Sequence, residues 1–301
     1  MRIRPSCLNA TKAIRKMRGE AQAHLVECDD GHAYVLKLPG NPQGTRILVN
    51  ELVAAVLLGE LGIAAPQPAI VRIDEIFLKE NLDVAFRKGD ARIEVQPGLC
   101  FGSRYPGCPG SFSVFDFLPN VMLSQVSNLS HFCGALLVDK WLSNADRRQA
   151  VFFRNTTDKD VGRWIVQMID NGMAFQGSDW TFRASAIQGL YAQLIVYGKC
   201  PAARNFEPWI DRLESLERGL LEDAFDLIPP TWLQGDGPEL VRLLRRLYAR
   251  RERVPELLAS ALCGIREQSR RFHPTEPNFG RRPPAKSVET RRAVMAPADC
   301  A

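Results

Sequence analysis

The chain has 301 residues, 46% of them apolar and 24% charged, enough to bury one large core or two adjoining lobes and too hydrophobic for a disordered chain. Its net charge of +5 is unevenly placed: residues 1–18 hold six Lys and Arg and no acid, and residues 266–301 hold eight bases against four acids, so the body from 19 to 265 carries −5. A slightly acidic body with basic ends lacks the basic face of a nucleic-acid binder, and the absence of a run of about 18 apolar residues argues against a membrane-spanning helix. No apolar signal-peptide core opens the chain, and the expected location is cytoplasmic. The eight cysteines show neither C-x-x-C pairs nor histidines at zinc-finger spacing, which predicts scattered free thiols rather than a zinc or disulfide framework.

From Lys12 the pattern predicts strand, tight loop, strand, turn, strand. The first loop contains Gly19, Glu20 and Ala21, and its backbone N–H groups could lie over phosphates, although a lone glycine in a hairpin loop is a weak signal. Asp30-Gly31 marks the next hairpin, because a type I′ turn needs positive φ. In the following strand, alternation puts Ala33, Val35 and Lys37 on one face, so the lysine shares a face with apolar neighbours and calls for a partner. Arg46–Leu61 reads as a helix through Leu48, Leu52 and Val56, with Glu51 at the border of that stripe. Glu51 is then either a solvated surface acid or the partner of Lys37, in the ion pair that positions nucleotide phosphates in kinases.

A strand is expected over Ala69–Phe77, an irregular loop or short hairpin over 79–97, and a strand over Gly98–Phe101. Five strands and one helix would make a small first lobe, residues 1–105, with a hinge in the Gly- and Pro-rich stretch 102–111. The second lobe, 106–265, is mainly helical. Asn128-Leu129-Ser130 offers caps for a helix from His131 to about Leu142 that runs into the loop of Asp146. Ala150–Phe153 and Trp164–Ile169 read as a hairpin. Its antiparallel pairing would return the chain to the same end and make Asp146 and Asp170 neighbours. Helices are predicted for Ser185–Tyr197, Phe206–Phe225 and Pro238–Arg253, the last with an arginine-rich solvated face. The stretch 266–301 reads as a disordered basic tail.

Taken together, the segments VLKLPGNPQG, VNELVA, FGSRYPG, VDKWLSNADRRQAVFF and MIDNGMAF resemble the HipA-like kinase family, over about residues 12–260. The resemblance implies an α+β, two-lobed protein-kinase-like fold, with a small antiparallel N-terminal sheet plus one helix and a larger helical lobe. It implies transfer of the γ-phosphoryl of ATP, with Mg²⁺, to a hydroxyl of a protein Ser or Thr or of a small molecule. Lys37 would contact the α- and β-phosphates, held by Glu51; Asp146 would orient the acceptor hydroxyl and accept its proton; Asp170 would bind the metal. Gly19, Glu20, Ala21, Val35 and Arg147 complete the expected nucleotide contacts.

The sequence departs from the protein-kinase pattern in two places: Asn144-Ala145, not His-Arg, precedes Asp146, and a metal ligand is missing. The second metal ligand there is an Asn five residues after the catalytic Asp, and this chain has Val151, which has no ligand atom. Gln149, three residues after Asp146, offers a carbonyl oxygen instead. Arg147 and Arg148 add positive charge that either steadies the transferring phosphate or sits in solvent. The alternative reading is a nucleotide-binding regulator without transfer activity; a nucleic-acid-binding module built on the basic ends is the weakest.

Overall fold

The computed structural model describes residues 4–110, 113–154, 162–198 and 203–272. The tip of the expected hairpin and the chain beyond Phe272 lie outside these residues.

The first lobe is built on β1 (Ser6–Lys16), β2 (His24–Cys28), β3 (Ala33–Lys37), α1 (Arg46–Glu60), β4 (Pro68–Ile73), α2 (Glu75–Glu80), β5 (Ala85–Lys88), β6 (Ala91–Glu94) and β7 (Gly98–Arg104). Its main sheet does not stay an open antiparallel sheet but closes into a five-stranded barrel in the order β1-β2-β3-β7-β4. Closure depends on β1, an 11-residue strand. One end pairs antiparallel with β2, and the other pairs in parallel with β4, Ser6 beside Ala69 and Asn9 beside Arg72. Register shifts at Ala10/Lys12 and Ala13/Arg15 bend the strand between its two partners, as β-bulges do. Tyr34, Leu36, Val71 and Cys100 help to fill the barrel with apolar side chains.

One boundary in this lobe differs from the sequence reading. The strand expected to reach Phe77 ends at Ile73, because the Asp74 carboxylate accepts a hydrogen bond from Phe77 N at 2.7 Å and starts α2 instead. The 79–97 segment contains the short β5–β6 hairpin.

The second lobe follows with β8 (Val114–Phe115), α3 (His131–Leu142), β9 (Gln149–Arg154), β10 (Trp164–Ile169), α4 (Glu207–Glu214), α5 (Arg218–Asp226), α6 (Pro230–Leu233), α7 (Gly237–Arg250) and α8 (Val254–Phe272). β9 and β10 pair antiparallel from Arg154/Trp164 to Gln149/Ile169, with β8 on the outer side of β9. The helix expected over Ser185–Tyr197 is absent apart from a 3₁₀ turn at Leu194–Tyr197. Gly189 explains this: it sits at φ +75 with a hypothetical Cβ only 2.4 Å from Asp139 Cβ, so the chain lies flat against α3 rather than coiling. The helix expected over Phe206–Phe225 is two helices, with Ser215 Oγ donating to Asp211 O at 2.7 Å where the first ends. The last helix, α8, continues past Arg266. Cys7, Cys28 and Cys100 are free thiols, but Cys133 is disulfide-bonded, contrary to the expectation of free thiols throughout.

The helix α1 joins the lobes. Every residue from Ile47 to Leu58 is buried, as expected of a helix that is hydrophobic all round. Its apolar side chains belong to the same core as α3 and the C-terminal helices, while its neighbour β3 belongs to the barrel.

Candidate active site

Four elements meet where the barrel faces the β9–β10 hairpin. Lys37 ends β3 on the face opposite the barrel-filling Leu36, and its Nζ donates to Glu51 of α1 and, at 2.7 Å, to Oδ1 of Asp170. Lys37 is 8% exposed and Glu51 2%. Of the two readings of Glu51, the structure shows the buried partner of Lys37 and not the solvated acid. Burial alone would pull the lysine down, but the two carboxylates outweigh it and hold its pKa above the ordinary range. For Asp170 burial acts upwards, and the charges of Lys37 and Arg148 prevail and lower its pKa. The carboxylate is therefore firmly ionised.

The turn after β10 is shaped by these bonds. Asp170 has φ +59, a left-handed conformation that costs a non-glycine residue free energy. Several contacts offset that cost. Asn171 N donates to Glu51 Oε1 at 3.0 Å, and Gln149 Nε2 donates to Asp170 Oδ2 at 2.9 Å. Gly172 admits no side chain, since a Cβ would lie 2.6 Å from Ile47 Cγ2 and 3.2 Å from Lys37 Nζ.

Two further residues complete the site, one not recognised in the sequence and one given a different role there. Asn50, fully buried in α1, donates from Nδ2 to the carbonyls of Gly172, Ala174 and Gly177 at 2.7, 2.9 and 2.9 Å, and its Oδ1 accepts from Trp180 Nε1 at 2.8 Å. An amide within an otherwise apolar helix was the available signal, since a buried polar group must find partners. The other is Arg148. It neither faces solvent nor adds a free charge. It is 3% exposed, forms a bidentate pair with Asp139 of α3 (Nε to Oδ2 2.8 Å), and donates to Ile169 O and Asn171 Oδ1, each at 2.9 Å. One guanidinium thus ties α3, the Asp146 loop and the Asp170 turn together.

Asp146 and Arg147 are exposed, at the open end of the same hairpin. The loop is fixed through its backbone: Asp146 N donates to Asn144 Oδ1 at 3.2 Å, Asp146 O accepts from Gly189 N at 2.8 Å, and Asn144 Nδ2 donates to Asp139 Oδ1 at 2.9 Å. Val35 is half-buried beside Lys37 on β3. Gly19, Glu20 and Ala21 form the β1–β2 turn, held by Asn41 Nδ2 donating to Ala21 O at 3.0 Å and by Gln22 bonding both N and O of Arg87 at 2.7 Å. Those bonds tie the turn to neighbouring loops rather than to the Lys37 cluster.

The donor set suits a cation carried largely by phosphate. Among the described residues no group of three His, Cys, Asp or Glu could hold a metal. Asp170 and the side-chain amide of Gln149 touch at 2.9 Å, which provides one carboxylate and, on rotation of the amide, one carbonyl. Mg²⁺ commonly takes one or two carboxylates and completes its octahedron with phosphate oxygens and water, so the residues fit it on those terms. Val151 contributes nothing, being a buried residue of β9 opposite Gln167.

A barrel-and-helix lobe over a helical lobe, with a buried Lys–Glu pair facing an Asp turn, defines a protein-kinase-like fold. Residues 11–248 match the family model described as HipA-like kinase, which is most of the chain. The protein therefore belongs to the HipA-like kinase family, and its chemistry is that of a kinase. A solved structure of hydra Fam20 with sugar is similar in fold, with a TM-score of 0.51 at 14% identity over 85% of this chain and 87% of that one. A Golgi casein kinase gives 0.49 at 11% identity, covering 87% of this chain and 75% of that one. The Helicobacter pylori proinflammatory kinase CtkA gives 0.40 at 13%, covering 85% and 98%. No curated protein matches the chain.

Proposed function

We propose that this kinase transfers the γ-phosphoryl group of ATP to the hydroxyl of a protein Ser or Thr, with Mg²⁺ as the accompanying cation. The observation that carries the reading is the Lys37 ammonium held between Glu51 and Asp170 at the mouth of the hairpin. An ammonium has three N–H donors; two point at these carboxylates, and the third is left for an oxygen of the α- or β-phosphate. Val35 and the Gly19–Ala21 turn cover the nucleotide from the barrel side. Asp170 and Gln149 hold the cation, which when bound neutralises charge on the transferring phosphate. Asp146, exposed and set on a loop fixed from below, orients the acceptor hydroxyl and takes its proton, while Arg147 supplies charge at the same edge. Residues 1–105 act as the nucleotide-covering lobe and 106–265 as the lobe that carries the catalytic loop and hairpin. Cytoplasmic location belongs to the same reading, and among the described residues no helix is long and apolar enough to cross a membrane.

The test is transfer of ³²P from γ-labelled ATP to a mixed protein acceptor or to the chain itself, comparing wild type with Asp146→Ala and Asp170→Asn. Both variants should lose transfer, with Asp146→Ala down by roughly 10²- to 10⁴-fold, the usual contribution of a positioned acid–base group. Variants that match wild type would sink the site assignment. The buried Val151 favours one other reading, a regulator that binds nucleotide without transferring phosphate. Saturable Mg-ATP binding by wild type with no phosphate transfer or release would select it.

A further inference from the structure

A cavity of about 160 Å³ lies between the 183–188 segment and α8, with the C-terminal part of α3 in its wall. Lys140, Arg250, Ser185 and Ser260 are among its lining residues. Lys140 is 5% exposed and Arg250 9%, and among the described residues their hydrogen bonds go to neutral carbonyls. Lys140 Nζ donates to Ser185 O at 2.6 Å and Ala186 O at 2.9 Å; Arg250 donates to Trp141 O at 2.9 Å and Lys140 O at 3.2 Å. The two acids on the cavity wall are engaged elsewhere, Asp139 by Arg148 and Asn144, and Glu256 by Arg253.

Magnitudes decide what this means. The carbonyls that Arg250 meets are those of the C-terminal turn of α3, and a helix C-terminus supplies about half a negative charge. Two whole cations are buried there, so more than one positive charge is left without a counter-ion, at a cost of several kcal/mol per ion. Burial accordingly pushes the Lys140 ammonium down to about 8, although Asp139 acts in the other direction.

We infer that this cavity is a binding site for a phosphate group, either free or on a phosphorylated side chain. A phosphate carries about 1.5 to 2 negative charges at neutral pH and three or more acceptor oxygens, which answers both the excess charge and the hydroxyls of Ser185 and Ser260. The volume equals that of about five liquid waters, enough for a tetrahedral anion. The inference does not depend on transfer activity, because neither Lys140 nor Arg250 belongs to the nucleotide cluster.

Thermal unfolding of the full chain tests it, with inorganic phosphate and a phosphoserine peptide compared against NaCl of equal ionic strength. At a hundredfold excess over Kd, a one-site ligand should raise Tm by roughly 4 °C in a chain of this size. Ser260→Glu, which places a carboxylate in the cavity without removing a bond of Lys140 or Arg250, should abolish that rise; so should Lys140→Met if it folds. Lys37→Met should leave it intact. A response to inorganic phosphate identifies a free anion, and a response to the peptide alone identifies a phosphorylated side chain. No response to either, or one that survives Ser260→Glu and vanishes in Lys37→Met, overturns the assignment.

Discussion

The two walls of the active site are built on opposite principles. On one, Lys37, Glu51, Asn50 and Arg148 are buried, and each is hydrogen-bonded to another element. On the other, Asp146 and Arg147 are exposed and held through the backbone of their loop. The buried wall, proposed to meet the nucleotide, is part of the protein's core, so its geometry is maintained by the same interactions that keep the chain folded. The exposed wall, proposed to face the acceptor, rests on that core, with Asp146 Oδ1 accepting from Arg147 N of its own loop at 2.8 Å. A further consequence concerns α1. In kinases where the helix bearing the glutamate must be positioned for activity, control acts on that helix; here Asn50 binds α1 to three carbonyls of the 172–177 turn, beside the Lys37–Glu51 pair.

The contrast predicts that substitutions in the buried wall lower stability and activity together, whereas those in the exposed wall lower activity alone. Arg148→Met should have the largest effect on stability. It leaves the Asp139 carboxylate buried without its cation, which typically costs about 3–5 kcal/mol, read as a fall in the urea midpoint with unchanged slope. A drop under about 1 kcal/mol would mean that Asp139 finds other partners and that the α3–hairpin tie is dispensable. Asn50→Ala comes next. It strips hydrogen bonds from three carbonyls at once, and a loss of roughly 2–3 kcal/mol is expected by the same measurement. Asp146→Ala should reduce transfer steeply while Tm stays within about 1–2 °C of wild type, since the side chain is exposed and the loop is held by backbone. A large fall in Tm would break the division between the walls. The smallest effect is expected for Arg147→Ala: stability within about 0.5 kcal/mol, with the change seen in KM for the acceptor or ATP, measured by steady-state transfer assays.

The hairpin and the helix before it were legible because their signals are local. Trp164–Ile169 and His131–Leu142 are found with the bounds the residue pattern assigned, and the pairing of Gln149 with Ile169 brings Asp170 back beside the Asp146 loop as strand geometry requires. The segment 185–197 misled for the opposite reason. Its composition suits a helix, but Gly189 is set by its packing on Asp139 of α3, which no local pattern reveals. Barrel closure was hidden in the same way, since the parallel pairing of β1 with β4 joins segments about 60 residues apart.

By itself, then, the sequence singled out the residues proposed to carry chemistry: a strand lysine, a helix glutamate and two aspartates at the ends of a hairpin. Periodicity and turn chemistry act over a few residues, and those positions follow from them. The tertiary structure alone decided the surroundings of those residues. Whether Glu51 meets Lys37, and whether Arg148 is a surface charge or a buried staple, depends on burial and on partners far away in the chain. The cost of burying a charge is what forces such partners together, and it is set by the folded whole.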